Sequence, residues 1–336
     1  YELDDRDSYI NKRIEPCGVL IGNLTYQCLN RLSKDIKINI TKEINSGLWN
    51  ISKDYVNVIN DINIHKIIKS SYIETILKGA MATGNWGLKN QINKQGVSQV
   101  LNRLTYMSTI SHLRRVSTPI DSSGKLIAPR KLHNTSWGYI CPSETPEGQS
   151  VGVVKNLSMI CEITNNTDSS NIEYILKGKY IKFKLIDIDE CNKTNYTKIF
   201  INGNWIGICG YPDEIIELLK LNRSNGNINI YTSFYWNIDD YSIYIYTDSG
   251  RCIRPLLIVK DNELIIKKYY NKLNKLTWND LITNLTLSEK CIEYIDTHEI
   301  NNCILSTDPN NIIPNSTHCE IHSSLILGAL ASCIPF

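Results

Sequence analysis

Apolar side chains recur every third or fourth position between Leu20 and Leu48, which predicts an amphipathic helix over that stretch. The recurring positions are Leu20, Leu24, Cys28, Leu32 and Ile36. The pattern is repeated less cleanly over Ile59–Leu77, and it returns over Val97–Leu113, which we also interpret as helical. The first third of the chain is therefore predicted to be mainly α-helical.

Beyond Ser158 the pattern changes to short runs rich in β-branched and aromatic residues, which favour strands. The predicted strands are Tyr180–Ile188, Lys198–Ile201, Trp205–Cys209, Ile228–Thr232 and Tyr241–Tyr246. Turn signals at Asn202-Gly203 and Ser249-Gly250 separate some of them, and Asp213–Leu221 is predicted to be a helix. Because helices and strands do not alternate regularly, the pattern indicates a multi-module α+β protein.

At 336 residues the chain is long enough for two or more modules, and its 42% hydrophobic content argues against disorder. The net charge is only +2, but nine cations and three anions fall between Asn85 and Leu157. The cations are Lys89, Lys94, Arg103, Arg114, Arg115, Lys125, Arg130, Lys131 and Lys155. A local basic excess of this kind is typical of a surface that meets phosphates, although a solvated face could also carry it.

The eleven cysteines contain no C-x-x-C pair, so the sequence predicts reduced thiols in an intracellular protein rather than a zinc knuckle or a disulfide framework. The longest apolar run, Leu325–Phe336, is shorter than the roughly 20 residues of a spanning helix, and no membrane association is expected. The first residue is Tyr1, and the charged opening is unlike a targeting segment. Both ends of the chain are interpreted as truncations.

Two acidic or histidine-containing clusters could suggest metal binding, and we assign neither of them to a metal. Asp187 and Asp189 would share one face of a strand, but a carboxylate pair on a solvated face is the commoner case. His318 and His322 have the spacing of a helical zinc site, but Glu320 is misplaced for the H-E-x-x-H pattern and no third ligand is near. No phosphate-binding glycine loop or nucleophile elbow occurs either.

The basic stretch contains a dense series of motifs that combine cations with glycine, proline and amide side chains. These are Ala82–Gly87 (ATGNWG), Ser98–Arg103 (SQVLNR), Ser111–Arg115 (SHLRR), Cys141–Gly148 (CPSETPEG) and Lys155–Ser158 (KNLS). Arginine and lysine supply charge and forked donors for phosphate, while amides supply neutral hydrogen bonds. This set resembles the fork region of the second-largest, β-type subunit of multisubunit DNA-directed RNA polymerases.

Further blocks on both sides extend the resemblance in the family's order. They are Asp4–Asp7 with Lys12-Arg13, Thr247–Arg251 with Arg254-Pro255, and Thr317–His322 with Ile334–Phe336. The amino-acid sequences of the motifs resemble those of eukaryotic, archaeal or large-DNA-virus subunits more than those of bacterial ones. The chain is thus expected to be an internal fragment of such a subunit.

The resemblance implies five modules along the chain. They are the C-terminal part of the protrusion (1–78), the fork (79–158), external region 1 (159–256), external region 2 (257–300) and a truncated start of the hybrid-binding region (301–336). It also implies that the subunit forms one side of the active-centre cleft during template-directed nucleotidyl transfer. Mg²⁺ would be bound mainly by the largest subunit, so no catalytic or metal-binding residue is expected in this fragment, which should be inactive alone.

The implied partners are the largest and smaller polymerase subunits, template DNA, nascent RNA and nucleoside triphosphates. The implied location is intracellular: the nucleus for a eukaryotic protein, or the virion and the host cytoplasm or nucleus for a viral one. A non-catalytic nucleic-acid-binding protein and a structural interaction module are the alternatives. The ordered set of blocks favours the polymerase, because a simple binding module has no reason to carry it.

The resemblance carries nucleic-acid-facing roles onto twelve residues. They are Gln99, Arg103, Arg114, Arg115, Lys125, Arg130, Lys131, Glu144, Glu147, Gln149, Lys155 and Asn156. Lys125 and Arg130 would lie near the point of strand separation, and the first four would line the wall near RNA and template. Glu144 and Glu147 could equally be partners of nearby arginines. Arg114 and Arg115 cannot both face one way, so one of them is expected to be structural.

Overall fold

A computed structural model describes residues 4–47, 59–87, 94–120, 124, 126–177 and 196–335. It confirms the α+β class. The chain forms two compact units, Glu15–Asn102 and a second unit that joins Tyr1–Ile14 to Arg103–Phe336. The five predicted modules are a finer division than these two units, so their boundaries stay predictions.

The smaller unit is helical. Its helices are α1 (Cys17–Asn45), α2 (Ile64–Ile67) and α3 (Tyr72–Thr83). Pro16 directly precedes α1, where its missing N–H costs no helical hydrogen bond. Leu24 and Cys28 of α1 are buried against Ala80 of α3 and Trp86. The predicted helix from Leu20 is confirmed, because residues four apart on one face reach the same core.

The first helix of the larger unit is α4 (Tyr106–Leu113). It is followed by β1 (Arg115–Ser117) and β2 (Val154–Asn156), which pair antiparallel. The predicted helix over Val97–Leu113 is therefore wrong in its first half. Val100 is 95% exposed and Leu104 is 86% exposed, so these apolar residues have no core to pack against. Thr105 and Ser108 form a capping box that starts the helix only at Tyr106.

A four-stranded sheet comes next, with the strands β4 (Thr197–Ile201), β5 (Asn204–Cys209), β6 (Ser233–Asn237) and β7 (Ser242–Tyr246). Their order in the sheet is β5-β4-β7-β6. The helices α5 (Ser170–Lys177) and α6 (Pro212–Ser224) pack on one face, over a core that includes Ile199, Ile243 and Leu219. Asn202 and Gly203 make the predicted turn with positive φ angles.

One predicted strand of this region, Ile228–Thr232, is wrong. Ile228 is buried at the core, but the Asn229 side chain accepts a hydrogen bond from the Tyr231 backbone at 2.8 Å and bends the chain. The strand begins at Ser233 instead. The predicted strands over 198–201, 205–209 and 241–246 and the predicted helix over 213–221 are confirmed, whereas Tyr180–Ile188 and the Asp187–Glu190 cluster lie outside the described residues.

The second sheet is built on the long strand β8 (Cys252–Lys260). The further elements are β3 (Glu162–Ile163), β9 (Glu263–Leu264), α7 (Trp278–Ile282), β10 (Ile292–Asp296), β11 (Leu305–Ser306) and β12 (His318–Cys319). The main strand order is β10-β8-β12-β11, and β3 and β9 also pair with β8. A 3₁₀ segment, Ile265–Lys275, covers the core beside Leu257 and Ile292. The described part of the unit therefore contains two larger sheets, each with its own apolar core, besides the β1-β2 pair.

Candidate nucleic-acid interface

Pairing of β1 with β2 brings together the two ends of the basic loop region. Arg115 lies opposite Asn156, and Ser117 lies opposite Val154. The described chain between these strands runs through three 3₁₀ turns, Ala128–Arg130, Asn134–Ser136 and Gly148–Ser150. Residues that are distant in sequence are thus held on one loop scaffold.

Arg114 and Arg115 have different surroundings although they are adjacent in sequence. Arg114 caps α4, and its Nη2 donates to the carbonyl oxygens of Ser158 at 2.7 Å and Cys161 at 2.9 Å. Arg115 starts β1 and is exposed. Arg114 is therefore the structural member of the pair, and Arg115 is exposed to solvent.

Arg130 joins three segments of the loop region through its guanidinium group. Nη1 donates to the carbonyl oxygens of Gln149 at 2.6 Å and Val151 at 2.8 Å, and Nη2 donates to Gly124 at 3.0 Å. The arrangement gives these three backbone carbonyl groups a charged donor. Arg130 thus fixes the loops, a use that the basic pattern alone does not reveal.

Glu144 belongs to a small polar network with Ser111 and Asn156. The Ser111 hydroxyl donates to Glu144 Oε1 at 2.5 Å, and Asn156 Nδ2 donates to the Glu144 backbone oxygen at 3.1 Å. Ser111 and Asn156 are buried. The Glu144 carboxylate thus accepts from a serine hydroxyl. Among the described residues it forms no ion pair with an arginine, which was the alternative considered for it.

Lys155 is half-buried beneath the N-terminal segment. Its Nζ lies 5.5 Å from the centre of the Tyr9 ring and donates to the Pro129 carbonyl at 3.1 Å. Burial lowers the pKa of Lys155, and the nearby charge of Lys12 acts in the same direction. These contacts make Lys155 a support of the loops.

The other predicted site residues of the described chain are exposed. They are Gln99, Arg103, Arg115, Lys131, Glu147 and Gln149. Gln99 belongs to the helical unit, where its Nε2 donates to the Gly96 carbonyl at 3.0 Å. Lys125 lies outside the described residues. The larger unit therefore presents Arg103, Arg115 and Lys131 as exposed cations near or within the loop scaffold.

Three arginines of the larger unit form buried ion pairs that the sequence did not predict. Arg223 contacts Glu293 and Glu299, Arg251 contacts Asp296 at 3.0 Å, and Arg254 contacts Glu320 at 2.5 Å. These carboxylate partners lie 45 to 76 residues away in sequence, and Arg251 also pairs with Asp248, three residues before it. For Arg254 the local signal was an arginine inside an apolar strand, β8.

The carboxyl group of Glu293 is the centre of the largest of these clusters. Burial acts to raise its pKa, but the charge of Arg223, a hydrogen bond from His318 and the charge of Lys290 hold the pKa well below its usual range. His318 lies on a strand rather than a helix, with its Nε2 3.1 Å from Glu293 Oε2. The helical histidine pair considered from the sequence is thus not formed.

No group of three His, Cys, Asp or Glu side chains that could hold a metal ion occurs in the part of the chain that the structure describes. No helix among those same residues is long and apolar enough to span a bilayer.

Comparison with protein families matches two parts of the chain. The description "RNA polymerase Rpb2, domain 3" matches residues 99–163, which include the loop scaffold, and "RNA polymerase Rpb2, domain 4" matches residues 199–260. The chain belongs to the family of second-largest RNA polymerase subunits. The resemblance inferred from the motifs is therefore confirmed.

Similar subunits occur in distant organisms. The chain is 38% identical to DNA-directed RNA polymerase II subunit 2 of Arabidopsis thaliana, over 99% of this chain and 28% of the relative. It is 34% identical to DNA-directed RNA polymerase subunit 2 of Acanthamoeba polyphaga mimivirus, over 99% of this chain and 29% of that protein. It is 33% identical to DNA-directed RNA polymerase III subunit RPC2 of Saccharomyces cerevisiae, over 99% of this chain and 28% of that protein. The chain thus spans less than a third of the length of these second-largest subunits.

Proposed function

We propose that this chain forms part of one side of the active-centre cleft of a DNA-directed RNA polymerase and holds template DNA and nascent RNA there. The observation that carries the proposal is the exposure of Arg103, Arg115 and Lys131 in the segment matched by Rpb2 domain 3. Cations that approach phosphates release counterions, which supplies sequence-independent affinity. Such affinity suits an enzyme that moves along any template.

The internal contacts divide the proposed roles. Arg115 and Lys131 would contact phosphates directly, because both are exposed. Arg114 and Arg130 would act through position, because their guanidinium groups hold backbone carbonyls. A loop held in this way presents its exposed cations without the entropy cost of ordering the backbone on binding.

The remaining predicted residues keep supporting roles in the proposal. Glu147 and Gln149 would shape the loop near the active centre, with Glu144, Lys155 and Asn156 holding it from behind. Gln99 would offer a neutral hydrogen bond to nucleic acid, and Lys125 would contact DNA near the point of strand separation. We also propose that the predicted module boundaries follow the Rpb2 domain order.

The reaction proposed for the whole assembly is attack of an RNA 3′-hydroxyl on the α-phosphate of a nucleoside triphosphate. Bound Mg²⁺ would stabilise the charge that develops on the phosphoryl oxygens. We assign this ion mainly to the largest subunit, and we expect the 336-residue chain to be inactive alone. The partners would be the largest and smaller subunits, in the nucleus of a eukaryote or in the virion or host cell of a virus.

The test uses polymerase assembled with the full-length subunit. Arg115→Gln and Lys131→Gln, singly and together, should weaken elongation complexes. They should also reduce the slope of a plot of log K against the logarithm of salt concentration, where K is the association constant of the enzyme for nucleic acid. The expected change is about 0.9 for each lost contact with a duplex phosphate and about 0.7 with a single strand. Lys272→Gln, an exposed cation of the 3₁₀ segment, is the matched control and should leave the slope unchanged.

A salt slope that stays at the wild-type value in the double variant would overturn the phosphate-contact assignment. Template-dependent nucleotide incorporation by the isolated chain, measured with purified protein and Mg²⁺, would overturn its proposed inactivity. The two measurements are independent of each other.

A further inference from the structure

A continuous row of aromatic rings crosses all four strands of the β5-β4-β7-β6 sheet. Trp205, Phe200, Tyr244 and Tyr235 contribute one ring from each strand in turn. Successive ring centres are 6.2, 5.2 and 6.3 Å apart, which is the spacing of aromatic contacts. This aromatic row has no role in the function proposed above.

The aromatic row lies on the face of the sheet opposite α5 and α6. Side chains alternate along a strand, and Ile199, Ile243 and Ile245 point into the core beneath those helices. Phe200 and Tyr244 therefore point the other way and are only half-buried, while Trp205 is 40% exposed. The His298 ring of the same chain covers the other end of the row, with its centre 3.9 Å from the Tyr235 ring and 5.9 Å from the Tyr244 ring. The accessible part of this face in the described chain is therefore at Phe200 and Trp205.

Cations of the chain itself already lie against aromatic rings of this face. Lys198 Nζ is 5.9 Å from the Trp205 ring, and the Arg13 guanidinium is 5.3 Å from the Tyr246 ring. Arg13 also forms an ion pair of 2.6 Å with Asp248. A cation over a ring face with a carboxylate beside it is therefore a contact that this surface makes.

The charges around the aromatic row favour a cationic occupant over a phosphate. Asp239 and Asp240 are exposed at the turn that joins β6 to β7, next to Tyr235. On this side of the sheet Asp248 is paired with Arg13, so Asp239 and Asp240 exceed the remaining cation, Lys198. The other three carboxylates of residues 196–250 are on α6, across the sheet. Single-stranded nucleic acid also stacks on aromatic rings, but it requires a positively charged groove beside them.

We infer that the aromatic row binds an arginine- or lysine-bearing segment of another polypeptide in the polymerase assembly. The cationic side chains of that segment would lie over Trp205 and Phe200, the rings of the row that His298 leaves uncovered, and Asp239 and Asp240 would pair with them. This partner surface is separate from the nucleic-acid-contacting loops, but its test is made in the assembled enzyme.

The experiment places the photo-crosslinking residue p-benzoylphenylalanine at position 205 of the full-length subunit. Assembly is first verified by co-purification with the largest subunit, so failure of the proposed assembly is seen separately. After irradiation, mass spectrometry should identify a segment of another subunit that contains arginine or lysine. The same residue at position 174, which lies on α5 and is 80% exposed, is the control for nonspecific adducts.

Charge variants in the position-205 background complete the test. Asp239→Asn with Asp240→Asn should lower the adduct yield several-fold. Asp213→Asn with Glu214→Gln removes the same charge from α6 and should leave the yield unchanged. An adduct on DNA, RNA, the same subunit or a segment without arginine or lysine would overturn the inference. So would an adduct yield equal to that from position 174, or a yield that is unchanged by Asp239→Asn with Asp240→Asn.

Discussion

Arg114 and Arg115 are consecutive residues, yet only Arg114 is engaged with the interior of the protein. Its Nη2 reaches the Ser158 carbonyl at 2.7 Å and the Cys161 carbonyl at 2.9 Å, while Arg115 is exposed at the start of β1. The change from helix to strand between the two residues turns their side chains apart. One arginine therefore stabilises the scaffold, and the other extends from it.

We expect Arg114→Gln to lower the free energy of unfolding by about 1.5–3 kcal/mol, because two carbonyl groups lose a charged donor. Arg115→Gln should change it by less than about 0.5 kcal/mol, as is usual for an exposed side chain. Urea unfolding of the two variants measures the difference. Equal losses at both positions would contradict the division of roles.

Gly152→Ala should be far more damaging than Gly148→Ala, although both glycines have positive φ angles near 70°. At Gly148 an added Cβ meets open space, so the cost is about 1 kcal/mol of backbone strain. At Gly152 the Cβ would lie 2.2 Å from the Arg130 carbonyl oxygen, which adds about 1–3 kcal/mol of overpacking. Urea midpoints of the two variants check this. Similar midpoints would show that the backbone at Arg130 shifts at little cost to make room for the methyl group.

Arg223→Met should lower the free energy of unfolding by about 3–5 kcal/mol, because it leaves the buried carboxylates of Glu293 and Glu299 without their cation. Adding Glu293→Gln and Glu299→Gln should recover part of the loss. Lys177→Met, which breaks an exposed pair with Glu173, is the matched control and should cost less than about 0.5 kcal/mol. Denaturant unfolding distinguishes these cases; a small effect at Arg223 would mean that water reaches the cluster.

His298 should make the protein less stable in mild acid. Burial lowers its pKa to about 4, with the charge of Arg13 acting in the same direction and Asp296 opposing it. Because the unfolded imidazole titrates near 6.5, the unfolded chain binds more protons between pH 6.5 and 4. Stability that is present above pH 6.5 is therefore lost as the pH falls, by about 2 kcal/mol at pH 5.

The measurement compares urea midpoints at pH 7.5 and pH 5 for the wild type and His298→Phe. Phenylalanine keeps a ring against Tyr235, on which His298 stacks at 3.9 Å, but it cannot take up a proton. The variant should therefore lose less stability between the two pH values. An unchanged pH dependence would assign the effect to other groups.

Local patterns explain which elements were predicted correctly. The helix α1 and the strands β4, β5 and β7 follow the periodicity of their own apolar residues. The periodicity over Val97–Leu113 failed because it cannot show whether an apolar face meets a core, and Val100 does not. Asn229 ended another apolar run through a side-chain hydrogen bond, which periodicity does not record.

The sequence by itself determined the family, the α+β class and the position of the basic segment, because ordered motifs and residue types are properties of the chain. Only the tertiary structure decided which cations are exposed. Arg114 donates to a carbonyl 47 residues away, and Arg130 donates to one 19 residues away. A guanidinium group is satisfied or left free by whichever backbone oxygens folding brings beside it, and those neighbours are not encoded in its local sequence.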